Sequence, residues 1–205
     1  MKRKTNIISL DLETTGIIPG KHVPISIGAV KLDADLGGHV SVNSFYVQLE
    51  WDSLVVDPEA MKINCLNIAN PPGRNGPFDC RSLPAHEGLT EFADWLFDSG
   101  SVVALGKNVG SFDLPMLRAV WDHGMKRPWP FGYRVIDINT ILFTISELSD
   151  LSFETVKHRI VHSAWRKTRE QHSFARDVDH HALADAWWNV NAWQDCLEWL
   201  SELEA

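Results

Sequence analysis

Near its start the chain carries a short apolar, β-branched run, Thr5-Asn6-Ile7-Ile8-Ser9-Leu10, which ends in Asp11-Leu12-Glu13-Thr14-Thr15-Gly16. Its length and residue types predict a buried strand. Side chains two apart on a strand point to one face, so Asp11 and Glu13 lie together. Two carboxylates on one face repel unless a cation bridges them. The pair is therefore either a solvated acidic strand end or the start of an oxygen-only site of the kind that suits Mg²⁺ or Mn²⁺.

The segments that follow predict a mixed α/β architecture. Val23 to Leu32 and Val40 to Leu49 read as two further strands, and turn residues between Asp33 and Gly38 make a hairpin of them. Residues 66–84, rich in Asn, Pro and Gly, predict a long loop. Leu89, Phe92, Ala93, Leu96 and Phe97 recur at helical spacing, Ser101 to Leu105 is a short apolar strand, and Asp113 to Trp121 a helix. Tyr133 to Ile136 predicts the last strand, with helices near 137–149 and 153–162. The polar, basic stretch from His162 to Asp179 is a loop or a poorly packed helix, and Ala182 onward is a long C-terminal helix. Strands first, then strand–helix alternation, predicts a mixed sheet flanked by helices.

The chain has 205 residues, a length that suits one domain over 1–205. No stretch approaches the ~20 apolar residues of a membrane span, and the basic Met1-Lys2-Arg3-Lys4 start is followed by too short an apolar run for a signal peptide. Cys65, Cys80 and Cys196 are odd in number and far apart, as expected of reduced thiols in the cytoplasm. The net charge of −8 argues against a protein that coats nucleic acid nonspecifically. It leaves room for an enzyme that grips one strand end, since bound cations offset charge locally.

Three further acids stand at element boundaries. Asp113 opens a helix after Gly106-Lys107-Asn108-Val109-Gly110-Ser111-Phe112, where it either complements the helix dipole or serves a site. Asp137 reads as an N-cap. Asp185, between Leu183 and Ala186, is an exposed acid near a helix start or a buried one that needs a partner such as a metal.

Taken together, Asp11-Leu12-Glu13-Thr14-Thr15-Gly16, Asn108 with Phe112-Asp113, and His180-x-Ala182-x-x-Asp185 resemble the DEDDh family of 3′→5′ exonucleases, which includes polymerase proofreading subunits and oligoribonuclease. The resemblance spans nearly the whole chain. It implies a ribonuclease H-like fold with a central mixed sheet of five strands. It implies that Asp11, Glu13, Asp113 and Asp185 hold two divalent cations, Mg²⁺ or Mn²⁺. His180 is then the general base, with Glu13 beside it in the catalytic set. Thr14, Thr15, Gly16, Asn108 and Phe112 would contact the terminal nucleotide. Lys107 stands where the family often has histidine, and Cys65 where its pre-helix motif has glycine. The implied substrate is the 3′ end of a single strand, with DNA slightly ahead of RNA. The alternatives are an oligoribonuclease-like enzyme trimming short RNA, to which Gly132-Tyr133-Arg134 is similar, and an accessory or binding subunit of a polymerase. A homodimer or a polymerase is the expected protein partner.

Spacing alone leaves two histidines in competition. His181 and Asp185 are four apart and share a face if both are helical. His180 reaches the site only from a loop just before the helix. The family spacing selects His180, which leaves His181 facing solvent or substrate. Trp187 and Trp188 cannot share a helix face, which leaves one open to base stacking, but core packing or a dimer contact is the favoured role. Ile17 and Ile18 either wedge against a terminal base or pack on the core. Lys157, Arg159, Arg166, Lys167, Arg169 and Arg176 form either a phosphate-contacting patch or a solvated helix face.

Overall fold

The computed structural model describes residues 6–32, 43–64, 66, 68–71, 73, 80–97, 102–125, 127–175 and 180–203. The turn expected at Asp33–Gly38, Cys65, and Arg176, Asp177 and Asp179 of the basic stretch lie outside them.

The apolar runs form a six-stranded mixed sheet. β1 (Asn6–Thr14), β2 (Pro24–Leu32) and β3 (Asn43–Glu50) make the antiparallel meander, and β5 (Val102–Gly106) and β6 (Phe131–Asp137) extend it in parallel beyond β1. The order is β4-β3-β2-β1-β5-β6, with β4 spanning Ser82–Pro84, so β1 lies between β2 and β5. Five strands were expected. The sixth, β4 (Ser82–Pro84), comes from the tail of the predicted loop and pairs in parallel with β3 at the sheet edge. Three residues are too few for hydrophobic alternation to mark a strand.

Helices cover both faces. α2 (Ala85–Phe97) and α3 (Asp113–Gly124) pack on one side, in a cluster with Ile8, Leu10, Leu12 and Ile27. α4 (Ile138–Leu148), α5 (Phe153–Gln171) and α6 (Ala182–Leu203) pack on the other, around Val30, Tyr46 and Leu105. Asp137 caps α4, accepting from the Asn139 and Thr140 amides. A short helix, α1 (Pro58–Asn64), lies against the end of β1.

α5 settles the ambiguous basic segment as helix as far as Gln171. Val156, Ile160, Ala164 and Thr168, every fourth residue, are buried. Lys167 pairs with the largely buried Asp195 of α6, and Asn191 Nδ2 donates to Thr168 Oγ1 at 2.9 Å. Polar contacts thus continue, from Lys167 and Thr168, the buried face that Val156, Ile160 and Ala164 begin. Trp187 and Trp188 are both buried, in keeping with the core role favoured for them. α6 is packed on the sheet, α4 and α5 together, so Trp187 lies on His172 at 4.1 Å while Trp188 faces Trp165 at 6.3 Å. Among the described residues no helix is long and apolar enough to cross a membrane.

α6 comes exceptionally close to the sheet at Gly28, the cross-strand neighbour of Asp11. A Cβ at Gly28 would lie 2.1 Å from the Ala182 carbonyl carbon and 2.3 Å from the Leu183 nitrogen. Ser9 Oγ donates to the Ala186 carbonyl at 2.7 Å, one turn further along. The added methyl in Gly28→Ala meets backbone that cannot rotate away, so we expect a loss of roughly 1–3 kcal/mol. Urea unfolding measures it, and a loss under about 0.5 kcal/mol would show that α6 can lift off the sheet freely.

Candidate metal centre and catalytic cleft

The parallel pairing of β1 with β5 reaches only Ser9, so the last part of β1 projects past the edge of β5. Asp11 and Glu13 sit on this projecting end. α6 brings Asp185 across from the opposite side, and one carboxylate oxygen from each of Asp11, Glu13 and Asp185 lies within 4.8 Å of the others. Asp113 stands beside this trio, at the start of α3. Its Oδ1 accepts a hydrogen bond from the Leu12 amide at 3.0 Å, which fixes the carboxylate against β1.

These carboxyls are poorly solvated and crowded by like charge. Burial, followed by Asp185 and Asp113, pushes Glu13 up from 4.5 to about 9. Burial raises Asp113 to about 8, although the hydrogen bond from Leu12 opposes it. Asp11 is held well above the usual carboxylate range by burial, then by Asp185, Asp113 and Glu13, while Lys107 acts in the opposite sense. Such a cluster is stable with all its charges only if a cation joins it. The donors are all oxygen, so the residues fit a hard divalent ion.

His180 precedes α6 with φ of 58° and is exposed. It lines a cleft of about 550 Å³ together with Asp11, Lys107, Asp185 and Asn189. A connected recess of about 290 Å³ adds Glu13, Thr14, Ile17, Asn64 and Phe112. His180 thus lines the acids' cleft from the pre-helix loop. His181 turns the other way, its ring stacked on buried Tyr46 at 4.5 Å, and neither of the two positions expected for it is where it lies. Asn108 is the other described non-glycine residue in the left-handed region, at φ 59°. Its carbonyl accepts from the Phe112 amide at 2.9 Å, and its Oδ1 accepts from Asn139 Nδ2 at 2.8 Å.

The threonine turn is bonded inside the chain. Thr14 Oγ1 donates to the Gly16 carbonyl at 2.8 Å, and fully buried Thr15 accepts from the Val23 amide through Oγ1 at 3.1 Å. Gly16 is needed because the His22 ring lies on it; a Cβ there would be 2.4 Å from His22 Nδ1. That same nitrogen accepts from the Ile18 amide at 3.1 Å and holds the loop that carries exposed Ile17 and Ile18 at the cleft mouth.

Several residues that sequence reasoning passed over shape this site. Asn64 Nδ2 donates to the Thr14 carbonyl at 3.1 Å and ties α1 to the end of β1. Asn189 Oδ1 accepts from the Lys107 amide at 3.1 Å and ties α6 to the β5–α3 loop. The signal for Asn189 was available in principle: a polar residue on a helix face otherwise committed to the core must find a partner.

The sequence profile described as the 3′-5′ exoribonuclease Rv2179c-like domain matches residues 6–197. A 3′-5′ DNA exonuclease of Escherichia coli, Cap18, is 27% identical over 194 residues, which cover 89% of this chain and 87% of that protein. Among solved structures, the zinc-bound complex of Escherichia coli exonuclease I with single-stranded DNA superposes with a TM-score of 0.70 at 16% identity, covering 98% of this chain. Exonuclease I of Methylocaldum szegediense superposes with a TM-score of 0.63 at 18% identity, covering 93%. The present chain spans under half the length of both, 42% and 40%. At these identities the superpositions establish the fold, which is ribonuclease H-like.

The electrostatics set a pH dependence for the metal-free protein. Glu13 keeps its proton up to about pH 9 when folded but loses it near 4.5 when unfolded. The folded state binds more protons across that window, so stability falls as pH rises through it. We expect the Tm of the chelated protein to drop between pH 5 and 9, Glu13→Gln to flatten the drop, and added Mn²⁺ to raise Tm more at pH 8 than at pH 5.5. A chelated wild-type Tm that rises over this range would contradict the assignment of buried, mutually repelling acids.

Proposed function

The chain belongs to the 3′-5′ exoribonuclease Rv2179c-like domain family and is a 3′→5′ exonuclease; on that premise we propose that it is a DEDDh-type, two-metal enzyme removing nucleoside monophosphates from the 3′ end of single-stranded DNA. The carrying observation is the convergence of Asp11, Glu13 and Asp185 within 4.8 Å on a cleft that His180 also lines. We read residues 1–205 as one exonuclease domain working in the cytoplasm, where an uncrosslinked thiol such as Cys196 persists.

The family resemblance, together with where the residues lie, supports a part for each. Asp11, Glu13, Asp113 and Asp185 hold the divalent cations, Mg²⁺ or Mn²⁺. A pair of such ions supplies Lewis-acid stabilisation of the attacking and leaving oxygens. His180, exposed at the cleft, accepts the proton of the attacking water. Water adds to the last phosphodiester phosphorus and the bond to the 3′ oxygen of the preceding nucleotide breaks. The products are a nucleoside 5′-monophosphate and a strand one residue shorter with a new 3′-hydroxyl. Thr14, Phe112 and Ile17 wall the recess in which the terminal nucleotide sits, Thr15 and Gly16 set the turn beneath it, and Asn108 holds the rim. Lys107, on the cleft wall, offsets the acids and faces the phosphate.

The sugar preference rests on relatives. The Cap18 likeness, over most of both chains, favours DNA; the family's description favours RNA as the second reading. With 5′-labelled oligonucleotides and Mn²⁺, we expect a stepwise ladder from the 3′ end, no cutting of a closed single-stranded circle, and loss of activity in EDTA. Faster turnover of RNA than of DNA of the same sequence would shift the reading to the ribonuclease. At saturating Mn²⁺, His180→Ala should slow hydrolysis by ~10²–10⁴-fold. His181→Ala should stay within about tenfold, a barrier change of ~1.4 kcal/mol, and register instead as a lower Tm through loss of the Tyr46 stack. The reverse ranking of rates would overturn the roles given to these neighbours.

A further inference from the structure

The sequence left the basic residues of α5 unresolved between a nucleic-acid patch and an ordinary solvated face, and the structure sorts them. Lys167 is committed to Asp195, Lys157 pairs with Glu154 at 3.4 Å, and Arg159 lies over Trp199 at 5.7 Å. One stripe, His158, Val161, His162, Trp165, Arg166 and Arg169, is grouped in space, with Glu170 beside it and paired to Arg166 at 3.5 Å. At ~100° per residue these positions fall on a single face, opposite the buried Val156, Ile160, Ala164 and Thr168. The stripe floors an open groove of about 630 Å³.

Two features make this groove more than a helix surface. It is continuous with the catalytic cleft: Val161 and Trp165 line both. It also carries two arginines, two histidines and a tryptophan against the single acid Glu170, in a protein of net charge −8. The Arg169 guanidinium sits 5.3 Å from the Trp165 ring centre, and the His158 and His162 rings are nearly parallel, 6.4 Å apart. Single strands are held by aromatic faces on which bases stack and by cations that follow the phosphates. From His158 to Arg169 the stripe runs roughly 16 Å at ~1.5 Å per residue, the length of four or five nucleotides at ~3.4 Å each.

Resting on the exonuclease reading above, we infer that the outer face of α5 is the path of the strand on the 5′ side of the scissile bond. Trp165 stacks a base as the strand leaves the cleft, and Arg166 and Arg169 contact the phosphates that follow. The groove thereby gives the enzyme a preference for strands long enough to reach it from the cleft.

Steady-state hydrolysis of dT₂ and dT₁₂ with Mn²⁺, in wild type, Trp165→Ala, Trp165→Phe and the double variant Arg166→Gln/Arg169→Gln, tests this. Wild type should favour dT₁₂ in kcat/KM. Trp165→Ala should raise KM for dT₁₂ by ~5- to 150-fold, the range of one lost base stack, and shrink the length preference; Trp165→Phe should recover most of it. The arginine variant, with Arg166 on the exposed surface, should lower the slope of log KM against log salt by about 1.4, or ~0.7 for each lost phosphate contact. A wild type active on both substrates without a length preference overturns the path. So does a length preference and salt slope unchanged in the arginine variant, whatever becomes of the tryptophan variants. A wild type inactive on both dT₂ and dT₁₂ overturns the DNA exonuclease reading instead.

Discussion

A backbone without a side chain at Gly28 lets α6 lie almost on the sheet, and the acidic end of the molecule follows from that contact. Gly28 faces Asp11 across the β1–β2 ladder, so the point of closest approach is also where the carboxylates are. The Ser9–Ala186 hydrogen bond sets the next turn, and Asp185 lands among Asp11 and Glu13. The fold thus uses hydrophobic burial of α6, which is favourable in proportion to apolar area removed from water, to hold together acids that would otherwise separate. Without a cation this arrangement is a local liability, and the raised proton affinity of Glu13 and Asp113 is its measure.

The same economy of contact governs the rest of the cleft. The Leu12 amide has no β5 partner because the parallel ladder has ended, and Asp113 takes it up. Asn189 does likewise for the Lys107 amide, and Asn64 for the Thr14 carbonyl. Each of these bonds satisfies a backbone group that the end of a strand would leave open, and each also fixes a wall of the cleft. The strand ends that make the site accessible are therefore the places where side chains substitute for the sheet. His180 and Asn108, the non-glycine residues in the left-handed region among the described ones, lie at such junctions, as backbone departures at functional sites commonly do.

The long basic helix shows how one element divides its labour. Its inner face is held on α6 by Thr168 and Asn191 and by the Lys167–Asp195 pair, its outer face carries Trp165 between cations, and Trp165 touches the core through Trp188. A rigid aromatic at the boundary between cleft and groove is placed by packing before any ligand arrives.

Much was legible in the sequence because it was local. Alternation along one strand put Asp11 and Glu13 on a common face, apolar runs marked β1, β2, β3, β5 and β6, and helical spacing marked α6 from Ala182. Asp137 as a cap followed from its position alone. The short strand β4 carried too few residues for any periodicity, and α5 beyond His162 was polar because its partners are polar. Neither the burial of both Trp187 and Trp188 nor the turning of His181 onto Tyr46 could be read from spacing, since each depends on what covers a helix from outside. The use of the Thr14 and Thr15 hydroxyls within the turn is of the same kind. Sequence periodicity fixes which way a side chain faces along its own element. Which distant element it meets is decided by the close approach that the missing Cβ of Gly28 allows, a property of the packed whole.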